Sequence, residues 1–163
     1  MSDKVKIALI SCGTEYGGVQ AAFEEAAQKV GAEFIYPEID IKELETIGRD
    51  FGIDAASGDL RLMMARAKAV VEGRTMADGV FVTTCFRCAE AAIVRNEVRR
   101  YIHKNSDIPV ISYSFTEQTD AATLFTRFEA LTTIARSIRA QPAGMVAPRS
   151  RRSRQLSGGG TRR

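Results

Sequence analysis

The sequence predicts an α/β domain built on a doubly wound, mostly parallel sheet. Three observations carry this expectation: short apolar runs punctuated by glycine or proline, intervening stretches with helical spacing, and regular alternation of the two along 163 residues. Parallel strands joined by helices require right-handed crossovers, and for about four strands these favour the spatial order 2-1-3-4.

Val5 to Ile10 is an apolar run ended by Ser-Cys-Gly, the profile of a buried parallel strand. Val19, Ala22, Phe23, Ala26, Ala27 and Val30 then fall on one helical face, and Gly31 supplies the stop. Glu33 to Tyr36 reads as the second strand, broken by Pro37, and Ile41 to Phe51 as a short helix closed by Gly52. Ser57-Gly58-Asp59 offers capping side chains to a helix over Leu60–Glu72 that carries Leu62, Met63, Ala67, Val70 and Val71. Gly79 to Thr84 is a β-branched and aromatic strand. A helix over Ala89–Lys104 follows, with Ile93, Val94, Val98, Tyr101 and Ile102 inward and Arg95, Arg99, Arg100 and Glu97 on a solvated face. Ile108 to Tyr113 is the fourth strand, and Thr123 to Arg139 the last amphipathic helix. The pattern is that of a flavodoxin-like or Rossmann-like fold, a single domain over residues 1–140.

With 45% hydrophobic and 26% charged residues, the composition is that of an ordinary globular chain able to bury a core. No apolar stretch has the length of a membrane span, and no charged-then-apolar leader opens the sequence, so no membrane role and a cytoplasmic location are expected. The formal net charge of +3 is misleading. Six arginines (149, 151, 152, 154, 162 and 163) lie in an acid-free tail; without them 17 basic residues face 20 acidic ones. Residues 141–163, rich in Arg, Gly and Ser, are too polar to pack and are expected to form a disordered tail. The body carries no basic stripe, so nucleic acid is not its expected ligand.

The chemistry lies in Cys12, Cys85 and Cys88, the only cysteines. Cys12 ends the first strand and Cys85 the third. In the order 2-1-3-4 these strands flank the switch point, where ligands of open α/β sheets bind beyond the carboxyl ends. In a reducing compartment such thiols suggest metal ligation or redox chemistry. Cys85-Phe-Arg-Cys88 sits where strand meets helix, and free N–H groups there favour thiolates. Three thiolates suit an iron–sulfur centre with one open position; closed zinc ligation wants four ligands, and the only histidine, His103, lies far downstream. A dithiol–disulfide pair formed by Cys85 and Cys88, with Cys12 as resolving thiol, and simple buried thiols are the alternatives. Gly13, Gly17 and Gly18 let backbone approach a ligand closely, although the spacing is no nucleotide-binding motif. Arg87, Glu90, Ser114, Thr116 and Glu117 share the same rim. Glu90 and Glu117 are candidate acid–base groups, and solvated rim charges are the plainer reading.

Three segments, Ala77-Asp-Gly-Val-Phe-Val82 leading to a cysteine, Ile108-Pro-Val-Ile-Ser-Tyr113, and Leu124-Phe-Thr-Arg-Phe-Glu-Ala130, resemble the last domain of 2-hydroxyacyl-CoA dehydratase and benzoyl-CoA reductase subunits. The resemblance spans roughly Val5 to Ser137. It implies a three-cysteine iron–sulfur cluster, commonly 4Fe–4S, electrons from an ATP-hydrolysing activator, and delivery to an acyl-CoA. Cys85 matches the family's cysteine after the third strand; Cys12 and Cys88 have no equally clear counterpart. Full subunits of that family are more than twice this length. The resemblance therefore implies an electron-transfer subunit or accessory in a hetero-oligomer with a larger dehydratase or reductase subunit. A non-catalytic binding module is the remaining alternative.

Overall fold

A computed structural model describes residues 4–13, 19–54, 57–116 and 118–141. Gly17, Gly18, Glu117 and the arginine-rich stretch from 142 onward lie outside the described residues. The elements run β1 (Val5–Ser11), α1 (Val19–Lys29), β2 (Ala32–Ile35), a 3₁₀ turn (Ile41–Glu45), α2 (Gly48–Phe51), α3 (Gly58–Val71), β3 (Gly79–Cys85), α4 (Ala89–Asn105), β4 (Val110–Phe115) and α5 (Ala121–Arg139). The four strands pair in parallel in the order β2-β1-β3-β4. The predicted α/β architecture and strand order are those observed. No described helix is long and apolar enough to cross a membrane.

Two apolar layers sandwich the sheet, as period-two alternation demands of strands covered on both faces. Ala8, Ile10, Val80 and Val82 point to one side, against Met63, Met64 and Ala67 of α3 and Val94, Val98 and Ile102 of α4. Val5, Ile7, Leu9 and Phe81 point to the other, against Phe23 and Ala27 of α1 and Phe128 and Leu131 of α5. Phe23, Phe34, Phe81 and Phe128 meet edge-on or tilted, with ring centroids 4.7–6.3 Å apart.

Several local expectations need correction. The single helix over Ile41–Phe51 is two short pieces: Asp40 accepts the Lys42 N–H at 3.0 Å to start a 3₁₀ turn, and Ile47, 1% exposed, draws the chain into the core before α2 begins. Ser57 occupies the N-cap of α3, but its side chain makes no cap hydrogen bond. Ile93 is 59% exposed; Ala91 takes the inward position instead. β4 begins two residues later than predicted. Pro109 has no N–H to give the ladder, and its carbonyl accepts the Val80 N–H before the strand proper starts. Arg95, predicted on a solvated face, turns inward and reaches Ser114 and Thr84 of the sheet. The Glu97–Arg100 pair on that helix is formed, at 2.7 Å.

Candidate thiol site

Parallel pairing carries the last residues of β1 and β3 to the same sheet edge: Ser11 is opposite Thr83, and Cys12 and Cys85 follow within two residues. Gly13 takes φ +89°, a left-handed conformation that only glycine adopts without strain, so the chain turns sharply immediately after Cys12. At the other strand, the Phe86 N–H donates to the Phe115 carbonyl at 3.0 Å, which holds the exit of β3 beside β4. The Cys88 N–H donates to the Cys85 carbonyl at 3.4 Å, closing a one-turn link into α4, and Cys88 is the N-cap residue of that helix. All three cysteines are free thiols and half-buried.

Cys12 and Cys85 are neighbours at the ends of the paired strands β1 and β3. Both the Cys85 backbone amide and the Cys85 sulfur lie near enough to act on the Cys12 thiol. Burial pushes the Cys12 thiol up to about 11; the Cys85 amide works against that shift, while the neighbouring Cys85 and Cys88 sulfurs add to it. Cys12 and Cys88 pack against the α3/α4 layer. Along β3, Thr84 meets Arg95 of α4, so alternation turns Cys85 toward the opposite side, where it lines a cavity with Phe115. Among the described residues, no three or more of His, Cys, Asp and Glu are grouped so as to hold a metal ion. The three sulfurs are thus not gathered about one point among the described residues: Cys12 and Cys85 adjoin at the strand ends, and Cys88 is the N-cap residue of α4.

The cavity at Cys85 has a volume of about 470 Å³ and is lined by Cys85, Phe86, Arg87, Phe115, Thr116 and Gln118. Phe86, 71% exposed, forms part of its wall. A larger hollow of about 560 Å³ lies at the C-terminal end of α4, beside the stacked rings of Phe51 and Tyr101. That end faces the N-terminal edge of the parallel sheet, away from the thiols, because α4 runs antiparallel to the strands it connects. Chemistry, not size, selects the cavity at Cys85.

Arg87 lines that cavity and is exposed, and Glu90 is exposed in the first turn of α4. His103 lies in the last turn of α4, as expected. Phe86, Phe115 and Gln118 were not singled out by the sequence, although Phe86 and Phe115 directly follow or end strands β3 and β4. Arg95 was missed because its neighbours on α4 are solvated and its own spacing does not distinguish it.

No protein-family model matches this chain. No solved structure matches it either. An uncharacterized protein of Methanocaldococcus jannaschii, MJ0800, is 54% identical over 130 residues, which cover 80% of this chain and 31% of the relative. The chain thus aligns with about a third of the length of the relative it matches.

Proposed function

We propose that this domain holds an iron–sulfur centre through thiolates at the β1/β3 switch point and serves as an electron-transfer subunit or accessory beside a larger protein in the cytoplasm. The observation that carries the reading is the β1–β3 pairing that brings Cys12 to the same sheet edge as Cys85, 73 positions away in sequence, with Cys88 at the N-cap of the helix that follows. When bound, such a centre, 4Fe–4S by the family resemblance, accepts and releases single electrons at a potential set by its surroundings. Cys12, Cys85 and Cys88 are the residues to hold it, and a remaining ligand comes from outside this chain. Gly13 permits close backbone approach, and Phe86 and Phe115 line the cavity beside Cys85. The resemblance supplies the rest of the proposal: an ATP-hydrolysing activator as donor, and an acyl-CoA undergoing reduction or dehydration as the destination. Arg87, which lines the cavity, and Glu90, in the first turn of α4, are the residues proposed to orient such a ligand.

The test is anaerobic reconstitution with iron and sulfide, followed by iron and sulfide assay, visible absorption and electron paramagnetic resonance. A brown protein whose iron is lost in both Cys12→Ser and Cys85→Ser supports the proposal. A colourless product with three thiols still free to alkylation refutes it. The nearness of Cys12 to Cys85 at the strand ends also favours a second reading, a dithiol–disulfide couple made by those two residues in place of Cys85 and Cys88. That couple predicts a colourless protein that loses two thiols, and two mass units, on mild oxidation.

A further inference from the structure

Among the described residues β2 and β4 are the outer strands of the sheet, and the sequence treats them differently. β2 is four residues long, contains Glu33 and is followed closely by Pro37. Short length, charge and proline are the means by which natural edge strands avoid pairing with other chains. β4 is longer and carries no charge, with a proline only before its first residue, at Pro109. Its six residues, Val-Ile-Ser-Tyr-Ser-Phe, are uncharged and all half-buried. The Pro109 and Phe115 carbonyls accept from Val80 and Phe86, so the odd-numbered residues of this stretch bond to β3. By alternation, the N–H and C=O groups of Val110, Ser112 and Ser114 face outward.

Two arginines flank this edge on opposite faces. Arg95, from α4, donates through Nη1 to the Ser114 hydroxyl and, at 3.4 Å, to Thr84. Arg127, from α5, lies over the Tyr113 ring with its Cζ 4.4 Å from the centroid. The Nε of each is buried without a hydrogen-bond partner, and among the described residues neither forms an ion pair with a carboxylate. Half-buried cations lacking a counter-charge are costly to keep in a fold, and two of them bracket this uncharged outer strand.

We propose that β4 is a docking edge for an extended acidic segment of a partner protein, which adds as a fifth strand and brings carboxylates to Arg95 and Arg127. Backbone hydrogen bonds to Val110, Ser112 and Ser114 supply the pairing, and the arginines select for acid. The stretch beyond residue 141 of this chain does not suit the edge, because it contains arginines and no acid. A second copy presents the same two arginines, and like charges repel across such a contact. The edge ends at Phe115, in the wall of the cavity at Cys85, so an added strand also approaches the thiols.

The experiment uses the full chain and a fluorescein-labelled peptide of alternating valine and glutamate, with a valine–lysine peptide as control, followed by fluorescence anisotropy. Saturable binding of the glutamate peptide alone, weakening as salt is raised, is expected. Ser112→Pro removes an outward N–H without touching the bonds to β3, and lowers the affinity at least about ten-fold. The Arg95→Gln, Arg127→Gln double variant keeps the whole edge and lowers it by about ten-fold or more, which keeps the test decisive if the proline variant misfolds. Absence of binding, or equal affinity in a folded Ser112→Pro and in the arginine variant, overturns the proposal. So does a peptide-free dimer that Ser112→Pro converts to monomer, which assigns the edge to a second copy.

Discussion

Asp78, immediately before β3, offers the sharpest stability prediction. Its Oδ2 accepts the Lys6 backbone N–H at 2.7 Å, while its own N–H donates to the Lys6 carbonyl at 2.8 Å. Arg139, near the end of α5, donates through Nε to Oδ1 at 2.6 Å and through Nη2 to Oδ2, a two-point pair. The carboxylate side chain is only 18% exposed, and the arginine 33%. One acidic side chain therefore joins β1, β3 and α5. Asp78→Ala leaves the Lys6 amide without its charged acceptor, a loss of roughly 1.5–3 kcal/mol. The pair with the partly exposed Arg139 adds about 1 kcal/mol more after allowance for solvent. A total near 3 kcal/mol corresponds to a fall in melting temperature of roughly 6–12 °C for a domain of this size. Asp78→Asn keeps an acceptor for the amide and loses about half as much. Urea denaturation followed by circular dichroism reads both. A loss below about 1 kcal/mol in Asp78→Ala refutes the clamp, because neither the Lys6 amide nor Arg139 would then depend on it.

Three further outcomes follow from local geometry. A Cβ on Gly79 lies 3.1 Å from Leu131 Cδ1 and 3.3 Å from its Cγ, so Gly79→Ala overpacks the α5 layer and costs about 1–3 kcal/mol by denaturant titration, partly recovered when Leu131 is shortened to Val. Phe23 is fully buried against three aromatic rings, and Phe23→Ala lowers unfolding free energy by about 3–5 kcal/mol. With its thiol at about 11 against an ordinary 9.0, Cys12 holds about a hundred-fold less thiolate near pH 8 in the native protein than in the unfolded chain, and iodoacetamide labels it correspondingly slowly. The stability linked to that raised value is complete below the ordinary thiol range and is lost as pH climbs through about 11; Cys12→Ser lacks this decline in urea titrations across the same range.

The sheet order was legible because it rests on covalent sequence alone. Apolar runs such as Val5–Ser11 and Gly79–Cys85 cannot face water on either side, and helical connections fix both handedness and neighbours. The meeting of Cys12 with the Cys85 segment followed from the same logic. Side-chain direction at the strand ends did not. Whether Cys85 points with Cys12 or away from it depends on one step of alternation and on the turn to Cys88, and no composition signal reports that. Arg95 shows the same limit: three arginines on α4 look alike in sequence, but a helical side chain that leans toward the N-terminus can reach the ends of β3 and β4 from only one of those positions.

The residues that carry the family resemblance now have physical roles, and these roles are chiefly architectural. Asp78 and Gly79 secure the start of β3, at the sheet edge opposite the thiols: one clamps Lys6 and Arg139, the other makes room for Leu131. Pro109 directs the entry to β4, Phe128 fills the α5 layer, and Arg127 lies on Tyr113. A shared Asp-Gly strand and a shared arginine-bearing helix therefore speak to how the sheet is assembled. They carry no electrons and touch no thiol. The redox proposal consequently depends on Cys12, Cys85 and Cys88, and the two kinds of residue must separate experimentally. Asp78→Asn weakens the fold and leaves iron content per folded molecule unchanged, whereas Cys85→Ser, at a half-buried rim position, leaves the urea midpoint close to that of the parent and removes the iron. Iron lost in proportion to stability in both variants would mean that the thiols serve packing, as ordinary half-buried cysteines do.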